Sequence, residues 1–182
     1  MSIEIRAWVG NLGKYNEGEL VGEWVEFPID EDDWDEVMKR IHIGEPVDPD
    51  DPRYGIYEEI FFADYDSKLP LFDMFGEYPR WEELNELAED VADADEEVLL
   101  AMLSEYAVDV DQAIDTYKGG NWRLYSGCED MSDVAKQCAE DDPAYMEAPD
   151  FMRRHFSFKH YGEELESLGT FIPCESGYIE IW

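Results

Sequence analysis

The segment from Trp81 to Asp93 has one apolar side and one side made only of carboxylates, and this pattern limits the possible folds most. On a helical wheel at about 100° per residue, the apolar side consists of Trp81, Leu84, Leu87, Ala88, Val91 and Ala92. The opposite side has no Lys or Arg and consists of Glu82, Glu83, Glu86, Glu89, Asp90 and Asp93. The segment is therefore predicted to be a helix that buries one side and leaves a row of negative charges outside.

Such a row is costly for an isolated helix. Carboxylates three or four residues apart lie about 5–6 Å apart at Cβ, and each like-charge pair costs roughly 0.2–0.5 kcal/mol. An earlier predicted helix alternates its charges, with Asp35 four residues before Lys39 and Glu36 four residues before Arg40. Three interpretations of the unpaired row stay open: a solvated face, adaptation to high salt, or a surface that imitates the spaced charges of a phosphate backbone.

The acidic excess extends through the whole chain. The 182 residues include 47 Asp and Glu against 13 Lys and Arg, for a formal net charge of -34 at pH 7, and each third of the chain is negative. This charge repels nucleic acid and anionic membranes, so the expected partner is a basic surface. A hydrophobic content of 45% still predicts a folded chain, and its many aromatic and large aliphatic residues fit salt adaptation poorly.

Hydrophobic periodicity and turn residues predict an α+β fold with three small domains. We expect domain 1–62 to contain an antiparallel strand pair (3–9 and 20–27), a helix after Asp30 and a third strand over 54–62. Domain 63–117 is predicted to be helical, with helices starting at Pro79, at Asp93 or Asp95, and at Asp109. Domain 118–182 is predicted to be α+β, with strands at 122–125 and 177–182 and helices at 131–139 and 161–168. The proline-rich segment 46–52 is expected to be an exposed loop without an assigned role.

No motif indicates catalysis, a metal or a cofactor, and we expect none. The three histidines form no HExxH pattern, the acidic stretch 90–97 lacks the glycine and ligand spacing of an EF-hand, and no P-loop is present. Cys128, Cys138 and Cys174 have no zinc-type spacing. Without a signal peptide or an apolar run near 20 residues, the expectation is a soluble cytoplasmic protein. An acidic enzyme with an unrecognised site remains an alternative.

The order of several segments resembles the ArdA antirestriction family. The resemblance begins with Ile5-Arg6-Ala7-Trp8-Val9, Tyr15-Asn16-Glu17-Gly18 and Gly22-Glu23-Trp24-Val25. It continues with residues 81–88, 99–106, 131–135 and 156–165, and so covers nearly the whole chain. No single motif is decisive, but the ordered set is specific.

The resemblance implies a B-form DNA mimic from mobile genetic elements, with three small domains in a row and an elongated, curved homodimer. Such a protein occupies the DNA-binding groove of type I restriction-modification enzymes. The alternative is an acidic inhibitor or adaptor of another basic DNA-binding protein. The carboxylates expected to imitate phosphates are Glu82, Glu83, Glu86, Glu89, Asp90, Asp93, Glu96, Glu97, Asp109, Asp111, Asp115, Asp32 and Asp33. The dimer interface is expected in the least charged third, at Phe151, Phe156, Phe158 and Tyr161.

Overall fold

A computed structural model describes residues 3–182 and divides them into two compact units, residues 3–94 and 95–182. Each unit contains a three-stranded antiparallel sheet with helices. The α+β class predicted from the sequence is therefore confirmed. The three-domain division is not confirmed, because the predicted helical middle segment contributes to both units and the predicted boundary after residue 62 falls within a strand.

The N-terminal unit has its sheet in the order β2-β1-β3. Its elements are β1 (Ile5–Asn11), α1 (Leu12–Asn16), β2 (Gly22–Phe27), α2 (Glu31–Arg40), a 3₁₀ turn (Pro52–Tyr54), β3 (Ile60–Asp66), α3 (Leu71–Phe75) and α4 (Trp81–Val91).

Strand β1 forms the centre of this unit. Its alternating residues Ile5, Ala7 and Val9 are buried, and Ala7 lies opposite Val25 of β2. The predicted antiparallel pair is thus confirmed. The connection is more ordered than a plain turn, because the side chain of Asn11 accepts a hydrogen bond from the backbone N–H of Lys14 and starts α1.

The helix predicted after Asp30 is present as α2, and the Asp30 side chain caps it by accepting from the backbone N–H of Asp33 at 2.8 Å. The third strand was predicted at 54–62 but is β3, Ile60–Asp66. The prediction was wrong at its start because the Pro52–Tyr54 turn and a bridge between Pro46 and Ile56 hold that segment in the loop.

The C-terminal unit has its sheet in the order β4-β6-β5. Its elements are α5 (Glu96–Glu105), α6 (Val110–Gly119), β4 (Trp122–Ser126), α7 (Met131–Asp141), α8 (Pro143–Met146), α9 (Asp150–Arg154), α10 (Phe158–Leu168), β5 (Thr170–Cys174) and β6 (Gly177–Ile181).

Part of the core of this unit lies between the sheet and helix α7, and α5 and α6 bury further apolar side chains. Tyr125, Cys128 and Val134 form a buried cluster, and α7 packs against α10. The two helices approach closely at Gly162, where an added Cβ would lie 2.5 Å from the carbonyl oxygen of Met131. Helix α10 starts three residues before the predicted Tyr161, because Ser157 caps it.

Candidate functional site

Helix α4 has the apolar side that the sequence predicts. Leu84, Leu87, Ala88 and Val91 are buried, and Trp81 is half-buried. The helix starts after Arg80 and not at Pro79, and it ends at Val91. Placing Ala92 on the buried side was wrong: the residue caps the helix end and is exposed.

The opposite side of α4, together with Asp93 two residues after the helix end, is a row of carboxylates in solvent, which we name the α4 acidic face. It consists of Glu83, Glu86, Glu89, Asp90 and Asp93, which are all exposed. Within residues 3–182, Glu86, Glu89 and Asp93 take part in no ion pair. No basic residue lies in the last turn of the helix. The helix therefore presents negative charge that no Lys or Arg neutralises at these three positions.

The start of α4 differs from the rest of its acidic side. Arg80 lies just before the helix, and its Nη2 is 3.6 Å from Oε1 of Glu82, which is half-buried. The backbone N–H of Arg80 also donates to Glu83 Oε2 at 3.3 Å. Sequence reasoning missed this because the wheel began one residue after the arginine. Glu82 and Glu83 are thus partly engaged within the chain.

Helix α2 contributes Asp32 and Asp33, which are exposed in its first turn. The charge pairs predicted within this helix are not the ones that form. Lys39 pairs with Glu36 at 2.7 Å, and Arg40 reaches Glu23 of β2, with Nε 3.0 Å and 3.1 Å from the two carboxylate oxygens. The Glu23 carboxylate accepts three hydrogen bonds from the Arg40 guanidinium, two from Nε and one from Nη2, and such charge-assisted contacts are stronger than a single exposed pair within the helix.

A concave surface lies between β2 and α2, and we name it the β2–α2 pocket. Its volume is about 530 Å³, and carboxylates of Glu23, Glu26, Asp30 and Asp33 line it together with Arg40. Only Asp33 was expected from the sequence to contact a partner. Asp30 caps the same helix as Asp33, whereas Glu23 and Glu26 lie on β2 and are brought to the pocket by the fold.

Two contacts fix α4 to this part of the N-terminal unit. The rings of Trp34 and Trp81 stack with centroids 5.1 Å apart and an interplanar angle of 19°. The side-chain amide of Asn85 forms two hydrogen bonds with the backbone of Ile29: Nδ2 donates to the carbonyl oxygen at 2.6 Å, and Oδ1 accepts from the N–H at 2.9 Å. The position of α4 is therefore determined by specific side chains and not by apolar burial alone.

The carboxylates predicted in the C-terminal unit have different environments. Asp111 and Asp115 are exposed on α6, whereas Asp109 accepts from the backbone N–H of Gln112 at 2.9 Å and caps that helix. Glu96 is half-buried and has interactions within the chain.

Glu97 stands apart from the exposed carboxylates. It is half-buried and accepts a hydrogen bond from the backbone N–H of Ser176 at 2.5 Å. This bond is the largest cause that lowers the pKa of the Glu97 carboxyl below its usual value of 4.5. Glu97 therefore connects α5 to the turn between β5 and β6.

Two of the four aromatic residues predicted at a dimer interface, Phe156 and Tyr161, line a mainly apolar cavity of about 630 Å³ in the C-terminal unit. Phe156 contacts Phe158 and Tyr161 at ring distances of 5.3 Å and 5.6 Å. Phe151 is 60% exposed and Phe156 is 39% exposed, while Phe158 and Tyr161 are half-buried. The structure thus brings three of the four together, with Phe151 projecting into solvent nearby in the chain.

The described part of the chain contains no group of three or more His, Cys, Asp or Glu placed to hold a metal ion. His42 contacts Glu45 at 2.9 Å and His160 contacts Ser157 at 2.9 Å. Cys128, Cys138 and Cys174 are free thiols, and burial is the largest cause that raises the pKa of Cys128. Among residues 3–182, no helix has both the length and the apolar character needed to cross a membrane.

The fold and the exposed carboxylates define a strongly acidic α+β protein that carries its charge on a folded surface. The family model described as antirestriction protein (ArdA) matches residues 7–180. This chain belongs to the ArdA antirestriction family, as the resemblance in the sequence indicated. Membership implies an antirestriction function through inhibition of restriction enzymes. A comparison with curated proteins gave no match.

Proposed function

We propose that this protein is a B-form DNA mimic that competes with DNA for the DNA-binding groove of type I restriction-modification enzymes. The α4 acidic face is the observation that carries the proposal. Its carboxylates at positions 86, 89 and 93 have no cationic partner within the described residues. Lysine and arginine side chains that bind phosphates can therefore bind these carboxylates in the same way.

The scale of the charge supports the same proposal. Duplex DNA has one negative charge per about 1.7 Å of axis, so the formal charge of -34 equals that of roughly 17 base pairs. Counterions reduce the effective charge of both DNA and protein. The comparison therefore supports a number of charges similar to that of the DNA site that an enzyme covers, without pairing each carboxylate with one phosphate.

The proposed mechanism is reversible competition without chemistry. Long-range attraction between the acidic surface and a basic groove accelerates association and makes the affinity sensitive to salt. DNA that enters a cell on a mobile element stays uncut while the groove is occupied. We expect the contacts to be made by carboxylates in four places: on the α4 acidic face, at Asp32 and Asp33 of α2, in the β2–α2 pocket, and at Asp111 and Asp115 of α6.

We also propose that two copies associate through the aromatic surface of the C-terminal unit. Phe151 and Phe156 are exposed there, and an interface between identical acidic chains needs apolar area where like charges do not meet. Sedimentation at micromolar concentration tests this association. A monomer under those conditions would exclude it and leave the competition mechanism untouched.

A competition assay tests the proposed function. A labelled duplex that contains the recognition site is bound to a purified type I restriction-modification enzyme, and the acidic protein is added. We expect complete displacement of the duplex, with an inhibition constant that rises with salt. Binding to the enzyme without displacement of DNA would refute mimicry. Displacement of DNA only from unrelated basic proteins would favour the alternative of a different DNA-binding target.

A further inference from the structure

We propose that Asn85 and the stacked pair Trp34 and Trp81 are positioning residues, which hold the α4 acidic face and the β2–α2 pocket as one rigid anionic surface. The inference rests on the proposed function and adds to it the residues that set the geometry of the contact surface. All of them lie within the N-terminal unit.

Asn85 is suited to this role by its chemistry. A neutral amide both donates and accepts hydrogen bonds, and Asn85 uses both abilities on one residue, Ile29, at 2.6 Å and 2.9 Å. Ile29 lies between the end of β2 and the start of α2 and lines the β2–α2 pocket. The same amide therefore holds a wall of the pocket and the helix that carries the acidic face.

The tryptophan stack places the acidic ends of two helices next to each other. Trp34 follows Asp33 in the first turn of α2, and Trp81 is the first residue of α4, directly before Glu82. Trp34 is only 6% exposed, so its ring is held by the core. The stack thus fixes the start of α4 relative to α2, while Asn85 fixes the helix one turn further along.

Rigid placement matters because each ion pair at an exposed surface is weak. A useful affinity therefore needs many ion pairs at once. If the carboxylates were mobile, ordering them on binding would cost free energy, whereas carboxylates already held in place avoid that cost. A variant in which α4 can move should therefore keep its charge and its fold but bind less tightly. This behaviour distinguishes positioning from charge.

The test compares two variants that each add one negative charge. Asn85→Asp keeps the size of the side chain, but its carboxylate cannot donate to the carbonyl oxygen of Ile29. Ala92→Asp adds the same charge at an exposed position just after α4, away from the contact with Ile29. If charge alone determined affinity, both variants would bind the basic enzyme as tightly as the original protein or more tightly.

We expect Asn85→Asp to weaken displacement of DNA about tenfold, the equivalent of two or three exposed ion pairs, while Ala92→Asp does not weaken it. The assays are run well below the unfolding midpoint of each variant, so that the folded fraction is the same. A merely structural role of Asn85 would lower the midpoint and leave the inhibition constant of the folded protein unchanged. Equal inhibition by the two variants would overturn the inference.

Trp81→Phe provides a second test that does not depend on the folding of Asn85→Asp. It keeps an aromatic ring at the stack, and we expect a weaker loss of inhibition, about threefold. Unchanged inhibition by the folded Trp81→Phe variant would contradict a positioning role of the stack. Failure of the unmodified protein to displace DNA would refute the proposed function itself, and is thus distinct from failure of this inference.

Discussion

Neutralising three unpaired carboxylates of the α4 acidic face should weaken inhibition and stabilise the fold at the same time. The variant is Glu86→Gln, Glu89→Gln and Asp93→Asn, which keeps side-chain size and removes three negative charges. These residues have no cationic partner in the described part of the chain, so no ion pair within the protein is lost. Each is available for a basic side chain of the enzyme.

The expected magnitudes follow from the exposure of these residues. An exposed ion pair contributes up to about 1 kcal/mol, so losing three raises the inhibition constant about five- to one-hundredfold, whereas Glu86→Gln alone changes it less than about fivefold. Stability should change in the opposite direction. The variant removes the repulsion of Glu86 with Glu82 and Glu89, and it removes the unfavourable negative charge of Glu89 near the helix C-terminus. Together these changes should raise the free energy of unfolding by about 0.5–1 kcal/mol.

Displacement of labelled DNA and urea unfolding measure the two effects on the same sample. The matched control is Glu58→Gln, Glu59→Gln and Glu77→Gln, which removes three exposed negative charges elsewhere in the N-terminal unit. We expect the control to change inhibition far less. If both triple variants lost inhibition equally, total charge would be sufficient and the reasoning from the α4 acidic face would be refuted. A loss of most activity in Glu86→Gln alone would indicate a single hot spot.

Three further predictions address salt, pH and packing. Raising salt from low to moderate concentration should increase the unfolding midpoint, because salt screens the repulsion among carboxylates, and should weaken displacement of DNA. An affinity for the enzyme that does not change with salt would indicate that the charge serves solubility. Glu97→Gln should lower the free energy of unfolding by about 1 kcal/mol at neutral pH. Because folding lowers the pKa of Glu97, the difference from the unmodified protein should begin to shrink as pH falls below about 4.5 and should vanish only below the lowered pKa of the folded state. Urea titrations at pH 7 and pH 3.5 measure this decrease. Gly162→Ala should lower the thermal midpoint despite the better helix propensity of alanine, because its Cβ would lie 2.5 Å from the carbonyl oxygen of Met131; an unchanged or higher midpoint would show that α7 and α10 separate easily.

Local signals were sufficient for most of the helices. Asp30 and Asp109 each accept a backbone hydrogen bond at the start of the helix that the sequence assigned to them. Of Asp93 and Asp95, which the sequence left open as caps of one helix, Asp95 accepts this bond. The buried positions of α4 followed directly from a period of 3.6 residues. Short elements were missed, because α1, α3, α8 and α9 have at most five residues each and give too little periodicity to recognise.

Strand β5 was missed for another reason. It contains Pro173, which argues against a central strand, but β5 lies at the edge of its sheet, where a residue without an N–H is tolerated. At the candidate site, the exposed carboxylates of α4 could be predicted, whereas the contacts of Glu82 with Arg80 and of Glu97 with Ser176 could not. The second joins residues 79 positions apart, and no local pattern contains that information.

The position of β6 in its sheet has a consequence for the order in which the chain folds during synthesis. β4 and β5 each pair with β6 and not with each other, so neither strand has its ladder until residues 177–181 have left the ribosome. The N-terminal sheet needs nothing beyond β3, which ends at Asp66. The unit that carries the α4 acidic face can therefore fold while the other is still being translated, whereas the C-terminal sheet cannot form before β6 has been synthesised.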